Sequence, residues 1–281
     1  MGLLDELKYL REMKALLHSK HFALVLDMQG LFKSAVLAAI SGCSTRIGYC
    51  EMREGSGLVS RAITGAHSKD HVIERYLDVA RYLGAKVDSL DDVQFPMPDL
   101  SKESASVRAK LAELGWNGGD YVVIVPGARW WTKEWPVEHY VALAKKLVAA
   151  GTSVVLAGGP DDAPKGKTIA EQCASPLVLD MTGKTSLREL AALIKDCSFY
   201  ISADTGPLHF AAALKKPLVA MYGPTKADRT GPYGSKNSEV ILSPASCAGC
   251  LKKNCQNWHC MHDITPDMVY EIYRKKVKAH G

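Results

Sequence analysis

Apolar positions along this chain form two patterns. Apolar residues that recur at helical spacing between polar ones predict helices, and short continuous apolar runs predict buried strands. Near the N-terminus, Leu and Met recur every three or four positions between charged residues, which predicts an amphipathic helix. A continuous apolar run over 22–26 then predicts a buried strand. The following segments predict a helix over 31–40, a short strand over 46–49, a loop over 51–69 and a helix over 70–83.

Beyond residue 120 the alternation becomes regular. Apolar runs predict strands at 121–125, 152–157, 177–179, 198–203 and 217–222, with helical segments between them. Ser186 and Glu189 form the pattern of a capping box at the start of one of these helices. Continuous apolar strands that alternate with helices predict a parallel sheet covered on both faces, hence an α/β fold. A last amphipathic helix is predicted from Pro266 to Lys278.

Residues with charged or hydrogen-bonding side chains follow several of these strands, at the edge where ligands of open parallel sheets bind. In the turn after the fourth strand, Asp204 offers an acceptor for hydroxyl groups, Thr205 is a candidate helix cap, and Gly206 and Pro207 open a helix. Free N–H groups at such a helix start favour an anion such as a diphosphate, and His209 lies one turn further on. The same pattern is also typical of an ordinary capped helix start.

Lys133 lies among three tryptophans in the loop after the strand at 121–125. A lysine beside a phosphate site supplies positive charge to a departing diphosphate, although a solvated loop lysine has the same local sequence. The tryptophans favour packing over base stacking.

Composition and charge disfavour several classes of function for this chain. The chain has 281 residues and a formal net charge of +5, with basic residues dispersed, which disfavours a nucleic-acid-binding module. No apolar run reaches the length of a membrane span, and the charged start is unlike a signal peptide. The cytoplasm is therefore the expected compartment.

Four of the eight cysteines cluster near the C-terminus as Cys247, Cys250, Cys255 and Cys260. Four thiolates at this spacing are able to hold zinc tetrahedrally, and iron–sulfur ligation is a weaker alternative. Reduced loop thiols, or disulfides formed after purification, are the simpler interpretation. A structural zinc is thus one of the open alternatives, and no cofactor is expected for catalysis.

Taken together, the motifs resemble those of glycosyltransferase family 9, the ADP-heptose:lipopolysaccharide heptosyltransferases. The resemblance covers most of the chain and rests on 27–34 (DMQGLFKS), 46–49 (RIGY), 133–136 (KEWP), 203–209 (ADTGPLH), 223–225 (GPT) and 229–233 (RTGPY). It implies a GT-B fold with two Rossmann-like domains, the N-terminal one incomplete. The implied domains are 1–103 on the acceptor side, 104–264 for the nucleotide-sugar, and a helix over 265–281 that crosses back to the first domain.

The resemblance implies an inverting transfer of a heptose from an ADP-sugar to a lipopolysaccharide inner-core acceptor. It implies peripheral association with the inner membrane, without nucleic acid and without a transmembrane segment. Carried over by motif, the residues that hold the donor are Lys133, Asp161, Asp204, Thr205, Gly206, Pro207 and His209. Lys133 would also serve catalysis, Asp161 would meet the ribose, and Gln29 and Lys33 would meet the anionic acceptor.

One departure from the family pattern concerns the start of the chain. Members usually begin with a strand, a Gly-rich turn and an acidic residue proposed as general base, whereas only 26 residues precede Asp27 here. Asp27, at a strand end, is the nearest substitute base, and it is equally suited to capping the helix that follows. The alternative function is therefore a shortened relative that binds ADP or ADP-sugar with little or no transfer.

Overall fold

The computed structural model describes residues 3–87 and 93–278, and the chain divides into two compact units, Met1–Asp88 and Ser89–Gly281. The N-terminal unit contains α1 (Leu3–Ser19), β1 (Val25–Asp27), α2 (Phe32–Ile40), β2 (Arg46–Tyr49), β3 (Arg61–Ile63) and α3 (Val72–Tyr82). Its three strands form a parallel sheet in the order β1-β2-β3, with Leu26 opposite Ile47 and Gly48 opposite Ala62. The predicted domain boundary at 103/104 falls later, inside α4 (Ser101–Glu113).

The C-terminal unit is larger. After α4 it contains β4 (Tyr121–Val125), α5 (Val137–Ala149), β5 (Ser153–Leu156), α6 (Ala163–Cys173), β6 (Val178–Asp180), α7 (Leu187–Asp196), β7 (Phe199–Ala203), α8 (Gly206–Ala213), β8 (Leu218–Tyr222), α9 (Ala227–Thr230), β9 (Ser238–Leu242) and α10 (Pro266–Lys278). All six strands are parallel, in the order β6-β5-β4-β7-β8-β9. This is the Rossmann order, in which the connection reverses direction between β4 and β7.

Alternation along the central strands divides the core into two layers. Val122 and Ile124 of β4 pack with α5, α6 and α10 on one face, whereas Val123 and Val125 pack with α4, α7 and α8 on the other. Both sets are essentially inaccessible to solvent. The parallel sheet covered on both faces, predicted from the continuous apolar runs, is therefore confirmed.

Two strands differ from the sequence-based prediction. β3 lies in the segment predicted as loop, and two of its three residues are exposed, so no apolar run marks it. β9 lies at an edge of the large sheet, where Leu242 is 60% exposed and only Ile241 is buried. Both strands are specified by pairing with a neighbour rather than by hydrophobic pattern.

The C-terminal helix α10 begins at Pro266 as predicted and packs against α5, β8 and β9 of its own unit. Val269 and Tyr273 on this helix are buried in the same core layer as α5. Its crossing to the N-terminal domain stays a prediction. No helix within the described residues combines the length and the apolar character needed to cross a bilayer.

Candidate functional site

The candidate site lies at the point where the large sheet reverses direction. Lys133 ends a short 3-10 turn (Trp131–Lys133) that follows β4, and Asp204 directly follows β7. Because β4 and β7 are parallel neighbours, their carboxyl ends meet at one edge. The fold therefore brings together two side chains that are 71 positions apart in sequence.

Lys133 and Asp204 form a nearly buried ion pair. The Lys133 ammonium donates to the Asp204 carboxylate at 2.9 Å and to the Asp204 backbone carbonyl at 3.2 Å, with side-chain exposures of 16% and 8%. The ammonium also lies 4.7 Å from the centre of the Trp130 ring, a cation–π contact. An ammonium has three N–H donors, so two serve Asp204 and one remains for a ligand.

Tyr222, at the end of β8, is a further member of this site that the sequence did not single out. Its hydroxyl donates to the Thr230 carbonyl at 2.9 Å and lies 3.4 Å from the second carboxylate oxygen of Asp204. Burial raises the pKa of this hydroxyl, and the negative charge of Asp204 raises it further. Tyr222 therefore stays protonated and ties the turn after β8 to the turn after β7. In the sequence it looks like any other apolar strand residue.

The first turn of α8 faces open space beside this pair. Gly206 is exposed, its φ is not in the left-handed region, and a Cβ built on it would meet no atom within 4 Å. No protein contact thus requires a glycine there, while its small size leaves the backbone N–H groups of the helix start accessible to an anion. One prediction was wrong: Thr205 occupies the N-cap position, but its side chain makes no capping hydrogen bond.

His209 lies on α8 within electrostatic range of both Asp204 and Lys133. The side chain keeps an exposed edge. Loss of water around the ring lowers its pKa, the carboxylate of Asp204 opposes this shift, and the positive charge of Lys133 adds to it. His209 is therefore neutral near pH 7 and is suited to hydrogen bonding rather than to charge pairing.

The two adjacent aspartates after β5 have different environments. Asp161 is exposed and, within the described chain, makes no hydrogen bond or ion pair. Asp162 instead accepts from the Gly159 N–H at 2.9 Å and packs against the turn after β4 so closely that a Cβ at Gly127 would lie 1.6 Å from its carboxylate. Asp162 thus joins the two turns, and ribose binding by Asp161 stays a prediction.

In the N-terminal unit, Asp27 is committed to the turn between β1 and α2. One carboxylate oxygen accepts from the backbone N–H groups of Gln29 at 3.2 Å and Gly30 at 2.9 Å, while the other is buried without a hydrogen-bond partner in the described structure. These bonds hold the turn rather than cap α2, which begins at Phe32 with Leu31 at its N-cap position, so the helix-capping interpretation of Asp27 was wrong. The side chains of Gln29 and Lys33 are exposed beside this turn, as an acceptor site requires.

The four clustered cysteines are free thiols, exposed at Cys247 and Cys250 and buried at Cys260. Burial raises the pKa of Cys260 to about 11, and the other three thiols of the cluster contribute to the increase. Over residues 3–87 and 93–278, no three His, Cys, Asp or Glu side chains are grouped as metal ligands. The thiols are therefore not preassembled around one point, and zinc binding stays a prediction.

Comparison with known proteins agrees with this architecture. The family model "Glycosyltransferase family 9 (heptosyltransferase)" matches residues 10–261. Lipopolysaccharide heptosyltransferase 1 of Pseudomonas aeruginosa is 32% identical over 250 residues, covering 87% of this chain and 66% of that protein. Lipooligosaccharide heptosyltransferase 2 of Haemophilus influenzae is 31% identical over 219 residues, covering 73% and 63%.

Among solved structures, the Escherichia coli ADP-heptose lipopolysaccharide heptosyltransferase II superposes with a TM-score of 0.75 at 26% identity, covering 98% of this chain and 82% of that one. This chain spans about two-thirds of the length of the two curated relatives. Its α/β architecture with two Rossmann-like units is of the GT-B type, as the motifs implied. By the family match over most of its length and by this likeness of fold, the chain belongs to glycosyltransferase family 9, the heptosyltransferases.

Proposed function

We propose that the chain binds an ADP-sugar at the carboxyl edge of the large sheet and transfers its heptose, with inversion, to a lipopolysaccharide core sugar. The observation that carries this proposal is the Lys133–Asp204 pair beside the open start of α8. A diphosphate there would meet a helix N-terminus and an ammonium with one unused donor. Membership of a heptosyltransferase family supports heptose as the sugar and ADP as its carrier.

The reaction that fits these residues is a single displacement. The acceptor hydroxyl oxygen attacks the anomeric carbon, and the bond from that carbon to the diphosphate oxygen breaks. The leaving ADP gains negative charge, which the ammonium of Lys133 and the N–H groups of α8 would stabilise. The hydroxyl proton requires a base, for which Asp27 is the candidate in this chain, and Gln29 and Lys33 are candidates for holding the anionic acceptor.

A second candidate function is binding of ADP-sugar without transfer, and the geometry of Asp27 favours it. Its carboxylate is buried and used by two backbone N–H groups, as expected of a structural turn residue. Incubation with ADP-heptose and a truncated lipopolysaccharide core separates the two candidates. Release of ADP with a heptosylated product supports transfer. An ADP-induced rise in Tm without product supports binding alone, and the absence of both removes the donor site.

Asp27→Asn tests the base directly. The amide oxygen of Asn still accepts from the N–H groups of Gln29 and Gly30, so we expect folding to be retained. If Asp27 takes the proton, transfer falls by about 10²–10⁴-fold because an amide is not a base. Circular dichroism and Tm check the fold, and Asp27→Ala provides the comparison that loses the turn as well. Full activity of Asp27→Asn would leave Asp27 with only a structural role in the turn.

Gly206→Ala tests the open start of α8. Because the added methyl group meets no protein atom, we expect the free energy of unfolding to change by less than about 1 kcal/mol. A diphosphate that lies against this backbone would be displaced, so we expect ADP binding to weaken about tenfold, measured by calorimetry. Gly57→Ala is the matched control, since that glycine also has space around it and lies in the other unit. Unchanged ADP affinity in Gly206→Ala would move the diphosphate away from α8.

A further inference from the structure

The cysteine-rich segment, residues 245–262, is built onto the loop that carries Lys133. The Thr132 hydroxyl donates to the Lys252 carbonyl at 2.9 Å, and the Trp258 indole N–H donates to the Thr132 carbonyl at 2.9 Å. Thr132 is itself buried, directly before Lys133. The segment therefore holds Thr132, and with it the 3-10 turn, through hydrogen bonds to both its hydroxyl group and its backbone carbonyl.

The same segment is also attached to the turn after β8. The backbone N–H of Gly249 donates to the Gly223 carbonyl at 2.9 Å, and that of Leu251 donates to the Pro224 carbonyl at 2.7 Å. Residues 249–254 thus connect the turns that follow β4 and β8. This brings side chains of the segment to the edge of the sheet where the donor site lies.

Lys253 is the residue of this segment that reaches the site. Its ammonium lies 4.8 Å from the centre of the Trp130 ring, and the Lys133 ammonium lies 4.7 Å from the same centre. Lys133 is neutralised by Asp204, whereas in the described part of the chain no carboxylate forms an ion pair with Lys253. Lys253 therefore carries an uncompensated positive charge beside the Lys133–Asp204 pair, and this charge attracts an anion.

We propose that Lys253 is a second cationic donor-binding residue, which contacts the diphosphate of the ADP-sugar together with Lys133. This inference rests on the proposed function, because it concerns the same ADP-sugar. A diphosphate carries two phosphoryl groups, and a lone remaining N–H donor on Lys133 serves only part of it. The Trp130 ring contacts both ammonium groups, and the hydrogen bonds around Thr132 hold the segment that carries Lys253.

Lys253→Met tests this assignment, with Lys252→Met as the matched control. Lys252 precedes Lys253, is equally exposed, and contributes only its backbone carbonyl to the contacts described. We expect Lys253→Met to weaken ADP binding about three- to tenfold at low ionic strength and less at high salt, since an exposed charge is screened. Adenosine binding is expected to stay unchanged, because adenosine lacks the phosphates. Lys253→Arg retains the charge and should retain most of the affinity.

In turnover, Lys253→Met should raise the KM for ADP-heptose while kcat changes little, because Lys253 contributes binding rather than charge at the breaking bond. Equal ADP affinity of Lys253→Met and wild type, or an equal loss in Lys252→Met, would overturn the role of Lys253 while leaving the donor site intact. Failure of the wild-type chain to bind ADP would instead overturn the proposed function, and this inference with it.

Discussion

Replacing Lys133 by Ala is expected to abolish the ADP-induced rise in Tm and to lower heptose transfer by about 10²–10³-fold. The physical reason is that Lys133 supplies a positive charge at Asp204, two positions before the start of α8, and retains one N–H donor beyond the two used by Asp204. Thermal unfolding with and without ADP measures the first effect, and steady-state kinetics with ADP-heptose measures the second.

The control for this experiment is a lysine in the same neighbourhood. Lys165 forms a 2.5 Å ion pair with Glu134, the residue that follows Lys133 in the sequence. Lys165→Met therefore removes a nearby charge without touching Asp204. We expect it to keep the ADP response. Loss of Lys133 leaves Asp204 buried and unpaired, at a cost of about 3–5 kcal/mol, so a lower Tm without ligand is expected too. A Lys133→Ala protein that still responds to ADP would exclude Lys133 from the donor site.

Trp135→Ala is expected to lower the free energy of unfolding by about 3–5 kcal/mol. Trp135 is 2% exposed and packs edge-to-face on Tyr140, with ring centres 4.8 Å apart. Its indole N–H donates to the Ile264 carbonyl at 2.7 Å, which ties the loop of Lys133 to the start of α10. The loss therefore combines a cavity with an unpaired carbonyl, and chemical denaturation measures it.

Two substitutions separate these contributions. Trp135→Phe keeps an aromatic ring in the core but leaves the Ile264 carbonyl without its donor, so we expect about 1–3 kcal/mol. Trp131→Ala, in the same loop, removes a ring that is 43% exposed and is expected to cost about 1 kcal/mol. Equal losses for Trp131→Ala and Trp135→Ala would contradict the view that burial of Trp135 fixes this loop.

Much of the C-terminal unit was predictable because its strands are buried on both faces. Short runs rich in β-branched residues, such as Tyr121–Val125, favour a strand covered on both faces. The pair Ser186 and Glu189 marks a helix start by hydrogen bonds that the structure contains. β3 and β9 escaped prediction because each contains a single buried residue, so strand pairing rather than solvent exclusion selects their conformation.

Two residues of the candidate site were predictable as neighbours of strand ends, but their contacts were not. The sequence placed Lys133 and Asp204 at strand ends, yet the order β5-β4-β7-β8, on which their ion pair depends, is a property of the assembled sheet. For the same reason Tyr222 went unnoticed. The different environments of the adjacent carboxylates Asp161 and Asp162 could not be predicted either, since the contacts of Asp162 with Gly159 and Gly127 form only in the folded chain.

Because β4 pairs with β7, the proposed nucleotide site exists only once these two strands lie side by side. Lys133 and Asp204 meet only after the chain has closed the long loop that contains β5 and β6. Their ion pair is therefore a contact of high sequence separation, a kind of contact associated with slow folding. A partly folded chain in which β4 and β7 are not paired therefore lacks the proposed donor site. ADP stabilises only the folded C-terminal unit, by mass action. Protection from proteolysis by ADP would accordingly extend over the whole six-stranded sheet at once.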